Sequence, residues 1–314
     1  MEKQLEVSEL SNSIRHLSSD KVKSALLVNT VVRGKMSSVL RSLKFIEVPP
    51  VIYSQITDPL NHPVDDPRFT YGGVEYSLTK SMIFHKQLLV KNFPRIFTFS
   101  PNVRLETAEK AKTGRHLTEF TQLDLEVRDA TREDVIKIAE SLIRESVLEV
   151  KLFYPEILEK RKNVIDIPSA HFRKYRYSDL RDKYGKDFEM ETSSREKQPF
   201  WIVDIPLTER EFYDREDENE PGILKDMDLI YPEGYGEGIS GGEREYLPER
   251  ILERIKAKGQ APSQFRIFTE ASSMGLVPSA GFGIGIERFI RYICGYERIE
   301  DVHPFPKIPG ESSL

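Results

Sequence analysis

The segment 281–288, GFGIGIER, places a glycine at every second position just before a helical pattern of apolar residues. Alternate residues of a strand point to the same face, so one face of this strand would carry no side chains. A flat ligand can lie against such a bare backbone. A glycine-kinked strand packed beneath a helix explains the pattern equally well. The spacing matches neither the GxGxxG nor the P-loop phosphate-binding signature.

Two further segments predict a long hairpin with one polar face. The strands are RIFTFSPNVRLE at 95–106 and EFTQLDLEV at 119–127, joined by a charged loop. In the second strand the apolar residues would face the core, while Gln122, Asp124 and Glu126 would share the opposite face. Antiparallel strands bracketed by helical patterns predict an α+β fold.

We expect the whole chain, 1–314, to form one domain. The apolar spacing predicts helices at 20–43 and 131–158, and the Pro-, Asp- and Gly-rich stretch 56–73 predicts a loop. The strongly charged segment 159–198 has a weak pattern, so we expect a surface insertion there.

Composition narrows the classes of function. The formal net charge of −5 provides no general basic field for nucleic acid. This charge balance favours a small-molecule substrate. No apolar run is long enough to span a membrane, and the N-terminus lacks the pattern of a signal peptide, so we expect a cytoplasmic protein. The single cysteine, Cys294, lies in an apolar segment and is interpreted as a packing residue.

The hairpin carries candidate phosphate-binding residues. Arg104 and Glu106 lie in VRLE, and Arg115, His116 and Phe120 lie in RHLTEF. Guanidinium groups suit bidentate phosphate binding, and an aromatic ring can stack on a purine. Each residue taken singly is more simply a solvated surface group.

Together these segments resemble the class II aminoacyl-tRNA synthetases. VRLE followed by RHLTEFTQLDLE resembles motif 2, GFGIGIERFIRYICGYERIEDVHPFPKIPG resembles motif 3 and the C-terminus of asparaginyl enzymes, and KFIEVPP resembles the end of motif 1. The resemblance implies an antiparallel sheet flanked by helices, with Pro50 at the interface of a homodimer.

The resemblance also implies roles in binding ATP. Arg104 would contact the α-phosphate and Arg288 the γ-phosphate, and both would be catalytic. Asp228 and Glu237 would hold Mg²⁺ on ATP, a task that suits oxygen ligands. The implied ATP-binding set is Arg104, Glu106, Arg115, His116, Phe120, Glu237, Gly285 and Arg288.

The implied amino-acid pocket is closer to that of aspartyl enzymes. Lys86 and Arg244 would grip a carboxylate, while Gln122 and Asp124 would hold the rest of the substrate. Two cations in one pocket favour a dicarboxylate over its neutral amide, because an amide would leave a buried charge unpaired. Ile83 replaces a substrate-binding glutamine, so we expect the amino acid to sit differently.

An asparaginyl-like frame with an aspartate-selective pocket resembles the archaeal asparagine synthetases related to asparaginyl-tRNA synthetase. The stretch before the first long helix is shorter than the anticodon-binding barrel of tRNA synthetases, so we expect no stable tRNA binding. The implied activity is an AMP-forming aspartate–ammonia ligase that uses ATP and Mg²⁺. The alternatives are an aminoacyl transferase to tRNA or protein, and a non-catalytic regulatory paralogue.

Overall fold

The computed structural model describes residues 2–167 and 171–311. Within these ranges an eight-stranded sheet carries helices against its apolar face, and a separate three-stranded sheet lies beside it. The strands are β1 (Ile46–Glu47), β2 (Tyr53–Ser54), β3 (Arg68–Tyr71), β4 (Val74–Leu78), β5 (Arg95–Val103), β6 (Glu119–Arg128), β7 (Arg173–Arg176), β8 (Phe200–Pro206), β9 (Ile223–Tyr231), β10 (Gly236–Glu243) and β11 (Ser279–Gly285).

Helices separate and cover these strands. The α-helices are α1 (Glu2–Leu17), α2 (Asp20–Ser42), α3 (Ile83–Leu89), α4 (Arg132–Phe153), α5 (Pro155–Glu159), α6 (Tyr177–Tyr184), α7 (Phe188–Arg195), α8 (Pro248–Ala257), α9 (Arg266–Ser273) and α10 (Ile286–Cys294). Short 3₁₀ turns lie at Ala108–Thr113, Gly185–Asp187, Leu207–Glu209, Pro262–Phe265 and Ile299–Val302.

The large sheet has the order β1-β5-β6-β11-β10-β9-β8-β7. Its six central strands are antiparallel, and the pairs at the two edges, β1 with β5 and β7 with β8, are parallel. The predicted α+β fold is therefore confirmed, with a mixed rather than purely antiparallel sheet.

The apolar face of the sheet forms the main core with α2, α4 and α10. Leu123 and Leu125 of β6 and Phe282 and Ile284 of β11 are fully buried there, and Cys294 of α10 belongs to the same cluster. The predicted alternation of β6 is therefore correct. Because successive side chains alternate, the polar residues of β6 must lie on the other face, where the cavities are.

Several boundaries differ from the predictions. The segment predicted to be a loop, 56–73, contains β3, whose tight turn to β4 uses Gly72 and Gly73 at φ 61° and 79°. Positive φ at both turn residues is the geometry that glycine permits without strain. The helix predicted at 131–158 divides at Tyr154, because Pro155 removes a backbone donor and starts α5.

The segment 159–198 contributes β7, α6 and α7. β7 forms the edge of the large sheet, and α7 reaches the turn between β9 and β10. Three of its residues, 168–170, lie outside the described residues. None of the helices in the described ranges has the length and apolar character needed to cross a membrane.

Candidate active site

Four neighbouring strands build the polar face as a ladder of side chains. Gly285 pairs with Gln122, while Gly283 pairs with Asp124 on one side and Ser240 on the other. Two residues along a strand advance about 6.8 Å. We call each row of paired residues across these strands a rung. The first rung contains Gln122, the second contains Asp124, and the third contains Glu126.

The third rung has the same construction. Gly281 pairs with Glu126 and Gly242, and Gly242 pairs with Asp226. A Cβ on Gly281 would overlap the Glu126 carboxylate, and one on Gly242 would overlap the Asp226 carboxylate. These glycines leave the space in which the carboxylates lie over the strands.

A cavity of about 510 Å³ covers the first rung. The glycine-bared strand forms its floor, and it contains three guanidinium groups. The predicted ATP-binding residues all line it: Arg104, Glu106, Arg115, His116, Phe120, Glu237, Gly285 and Arg288.

A second cavity, of about 960 Å³, covers the second and third rungs. The predicted amino-acid residues Lys86, Gln122, Asp124 and Arg244 all line it, as does Ile83. Both cavities share one boundary, lined by Arg104, Gln122, Glu237 and Gly283.

Arg104 is held in place at this boundary. Its Nε donates to the Lys80 carbonyl at 3.0 Å, and its guanidinium carbon lies 5.2 Å from the centre of the Phe120 ring. An arginine anchored by one edge keeps its remaining donors free in a fixed direction. Charge that develops where the two cavities meet would therefore face Arg104.

The electrostatics of the first cavity favour an anion. Burial lowers the pKa of His116 to about 3, and the nearby charges of Arg288 and Arg115 add to this effect. Burial acts to raise the pKa of Glu237, but Arg288, Arg115 and Arg210 together hold that pKa below its ordinary value. Both shifts reflect the positive field of the arginines around this cavity, and that field attracts phosphate.

The second cavity contains a buried lysine with two acidic neighbours. Lys86 Nζ lies 2.7 Å from Asp124 Oδ1 and 3.9 Å from Glu126 Oε2, and the lysine is 3% exposed. Asp124 Oδ2 has no hydrogen-bond partner among the described residues. This pair therefore keeps an acceptor that a substrate can use.

Arg244 organises the third rung. Its guanidinium donates to Glu126 at 3.2 Å, to Asp214 at 3.0 Å and to the Gly281 carbonyl at 2.8 Å. Arg244 is 4% exposed. Burial acts to lower its pKa, but Glu126, Asp214 and Asp226 together raise it, so the group stays charged.

Three charged residues of this cavity were not predicted from the sequence. Arg210 contacts Asp228, with which it makes a short ion pair, and its Nε lies 3.3 Å from Asp226. Asp214 and Asp226 are 4% and 2% exposed, and burial raises the pKa of both. Arg210 and Asp214 lie in the sequence EREFYDRE, which reads as a solvated charged stretch. The alternation of Asp226 and Asp228 in an apolar strand was the signal that could have identified this face.

The predicted metal ligands Asp228 and Glu237 both lie near Arg210. Asp228 Oδ1 is buried without a hydrogen-bond partner in the described part of the chain, which leaves an oxygen donor available. No cluster of three His, Cys, Asp or Glu residues suited to a metal occurs in that part. The donors fit Mg²⁺ carried by a nucleotide, since that ion is commonly bound by one or two carboxylates plus phosphates.

Three aspartates of the segment 56–73 have separate positions. Asp58 lines the second cavity and accepts hydrogen bonds from the Tyr213 hydroxyl at 3.0 and 3.1 Å. Asp66 instead binds Arg68 and Ser77, and Asp65 makes a backbone bridge. Only Asp58, of these three, lines this cavity.

Glu287, at the start of α10, gives a prediction for stability against pH. Both its carboxylate oxygens accept from the Thr121 backbone N–H at 3.0 Å, and burial raises its pKa from an ordinary 4.5 to about 7. The folded state therefore holds this proton more tightly, and stability is lost as pH rises from 4.5 to 7.

We expect Glu287→Gln to remove this loss. As the pH rises from 4.5 to 7.5, the unfolding free energy of the variant minus that of the wild type should increase by roughly 2–3 kcal/mol. Urea titrations at several pH values measure this difference. Glu253→Gln, at an exposed position of α8, is the control and should track the wild type. If the difference in unfolding free energy between Glu287→Gln and the wild type did not change with pH, the raised pKa assigned to Glu287 would be contradicted.

Comparison with known proteins identifies the family. The family described as tRNA synthetases class II (D, K and N) matches residues 6–309. The chain belongs to this family of class II tRNA synthetases. It is also similar in fold to the asparaginyl-tRNA synthetase of Pyrococcus horikoshii complexed with asparaginyl-adenylate. That likeness has a TM-score of 0.87 at 24% identity and covers 96% of this chain and 72% of the other.

Curated relatives include asparagine–tRNA ligases from several organisms. That of Lactococcus lactis is 32% identical over 68% of this chain and 53% of its own length. That of Symbiobacterium thermophilum is 28% identical over 74% of this chain and 57% of its own length. The chain therefore spans somewhat more than half the length of these relatives.

Proposed function

We propose that the protein activates aspartate with ATP at the side-chain carboxylate, and that ammonia then takes the acyl group to give asparagine. The first step releases pyrophosphate and the second releases AMP. Both steps would occur in one active site, which consists of the two adjoining cavities.

The observation that carries this proposal is the mixture of charges at the deep end of the second cavity. Lys86 and Arg244 provide cations, and Asp214 and Asp226 provide carboxylates, on the rungs farthest from the nucleotide cavity. Asp226 Oδ1 has no hydrogen-bond partner in the described structure. A carboxylate and an ammonium group on one carbon match this pattern better than a lone carboxylate does.

This match favours one direction for the substrate. With its α-ammonium and α-carboxylate groups at the deep end, aspartate would present its side-chain carboxylate to Arg104 at the boundary. Asparagine in the same pose would present an amide, which cannot be activated. The charge pattern therefore favours aspartate, activated at its β-carboxylate.

The chain's residues would promote the first step by positioning and charge neutralisation. A carboxylate oxygen attacks the α-phosphorus of ATP, and the bond from that phosphorus to the pyrophosphate oxygen breaks. Arg104, Arg115 and Arg288 line the first cavity, where Arg104 would neutralise charge on the α-phosphate and the other two would face the leaving group. Preorganised donors of this kind commonly supply the largest share of catalysis.

Asp228 and Glu237 would hold Mg²⁺ on the triphosphate, where the ion supplies charge neutralisation. In the second step, the nitrogen of ammonia bonds to the acyl carbon while the bond to AMP breaks, and the nitrogen loses a proton to water. No residue of the chain needs to become acylated.

The second candidate is an aminoacyl-tRNA ligase, which the asparagine–tRNA ligases among the relatives favour. It would activate the α-carboxylate, so the amino acid would lie in the opposite direction. The α-ammonium would then lie near Asp124 at the second rung, and Asp214 and Asp226 would face the side chain. The two candidates thus differ in which end of aspartate meets Arg104.

The test is product formation from ATP, Mg²⁺ and aspartate with either ammonium or bulk tRNA. The proposal predicts asparagine and AMP in equal amounts with ammonium, unchanged by tRNA. Transfer of labelled amino acid to tRNA, with no asparagine formed, would replace the proposal with the second candidate. Asparagine in place of aspartate should yield no AMP.

A further inference from the structure

Helix α7 extends from the 159–198 segment to the wall of the nucleotide cavity. Glu189 Oε1 lies 3.4 Å from both Nη1 and Nη2 of Arg115, and accepts from the Glu237 backbone N–H at 3.2 Å. Met190 Sδ lies 3.3 Å from the same Nη1. One carboxylate of α7 thus contacts a cation of the phosphate cavity and the backbone of a predicted metal ligand.

Arg115 is incompletely satisfied in this arrangement. Its Nε is buried and has no hydrogen-bond partner among the described residues, and its contacts with Glu189 are long for a charge-assisted bond. Leaving a buried donor unpaired is unfavourable. The conformation therefore leaves the guanidinium ready to exchange Glu189 for a stronger anion.

Other charges around Arg115 favour that exchange. Arg104 and Arg288 line the same cavity, so a triphosphate entering it would meet three guanidinium groups. The other acidic residues that line the cavity have partners of their own: Glu106 contacts His62, Glu237 contacts Arg288, and Glu287 accepts from the Thr121 backbone. Glu189 is the acidic group that directly contacts Arg115 in the described structure.

We propose that Glu189 is a positioning residue that competes with ATP for Arg115. In the nucleotide-free protein it holds the guanidinium against α7. When ATP binds, the triphosphate takes Arg115, and Glu189 keeps only its bond to the Glu237 backbone. The 159–198 segment thereby sets the affinity for ATP without touching the nucleotide. This inference rests on the proposed use of the first cavity by ATP.

The informative variant is Glu189→Gln, since glutamine keeps an acceptor for the Glu237 backbone while the negative charge is lost. Binding of Mg·ATP is measured by calorimetry without amino acid, so that the result does not depend on turnover. We expect the dissociation constant to fall about three- to tenfold, the range of a partly exposed ion pair.

Two further variants separate competition from general effects. Glu191→Gln removes a charge from the same helix at an exposed position paired with Arg195, and should leave ATP binding unchanged. In an Arg115→Ala background, Glu189→Gln should not change ATP binding, because the arginine for which Glu189 and ATP compete is then absent. A purely structural role would produce a lower melting temperature and an effect that persists without Arg115.

Weaker or unchanged ATP binding in Glu189→Gln would overturn the inference, as would an effect that survives Arg115→Ala. Wild-type protein that binds ATP normally would leave the proposed function standing in either case. Wild-type protein that binds no ATP would overturn both the proposed function and this inference.

Discussion

Replacing Arg104 with methionine is expected to lower the rate of aspartate-dependent ATP–pyrophosphate exchange by about a thousandfold. Arg104 lines both cavities and is fixed by the Lys80 carbonyl and the Phe120 ring. A fixed donor aimed at developing charge contributes more to the transition state than to substrate binding. The Michaelis constants should therefore change much less than the rate.

The matched control is Arg95→Met, at the start of β5, the strand that Arg104 directly follows. Arg95 donates to the Leu43 carbonyl and packs over Phe45, away from both cavities. That variant should keep near wild-type exchange. Arg104→Met should unfold at nearly the wild-type temperature, since its methylenes can still pack against Phe120. A loss below tenfold in folded Arg104→Met would contradict the role given to this residue.

The second large effect is expected from Arg244→Met. The substitution leaves Glu126 and Asp214 buried without the guanidinium that neutralises them. Removing one partner of a buried ion pair costs about 3–5 kcal/mol, because the remaining charge is uncompensated. We expect the free energy of unfolding at pH 7.5 to fall by this amount, and aspartate-dependent AMP release to be lost.

Urea denaturation measures this stability change. Arg250→Met, which removes a more exposed arginine 3.9 Å from Glu245, should change stability little and is the control. Adding Asp214→Asn to Arg244→Met should restore part of the lost stability, because one buried charge is removed. A change within 1 kcal/mol for Arg244→Met would contradict the assigned network.

The sequence predicted the parts of the site that are local in the chain. The alternation in β6 predicted that Gln122 and Asp124 share one face, and the glycine spacing predicted the bare face of β11, which the fold places beside β6. These inferences succeed because strand geometry fixes which side chains share a face. Arg104 and Arg288 were identified through resemblance of their motifs.

The contacts that depend on folding over long distances were not predicted. Arg210, in the connection after β8, contacts Asp228 of β9, and Glu189 contacts Arg115 from a helix 74 residues away in the chain. A charged residue in a polar stretch looks solvated until the fold buries it, and no local pattern reveals that burial. The β3–β4 hairpin was different, because its Gly72–Gly73 pair was a visible turn signal that was read as loop.

The central claim is that aspartate is activated at its side-chain carboxylate, and trapping with hydroxylamine tests it most directly. Purified protein is incubated with ATP, Mg²⁺, aspartate and hydroxylamine, and the two aspartyl hydroxamates are separated by chromatography. We expect β-aspartyl hydroxamate to form together with AMP. Formation of α-aspartyl hydroxamate instead would show that the α-carboxylate meets Arg104, and would contradict the proposed orientation of the substrate.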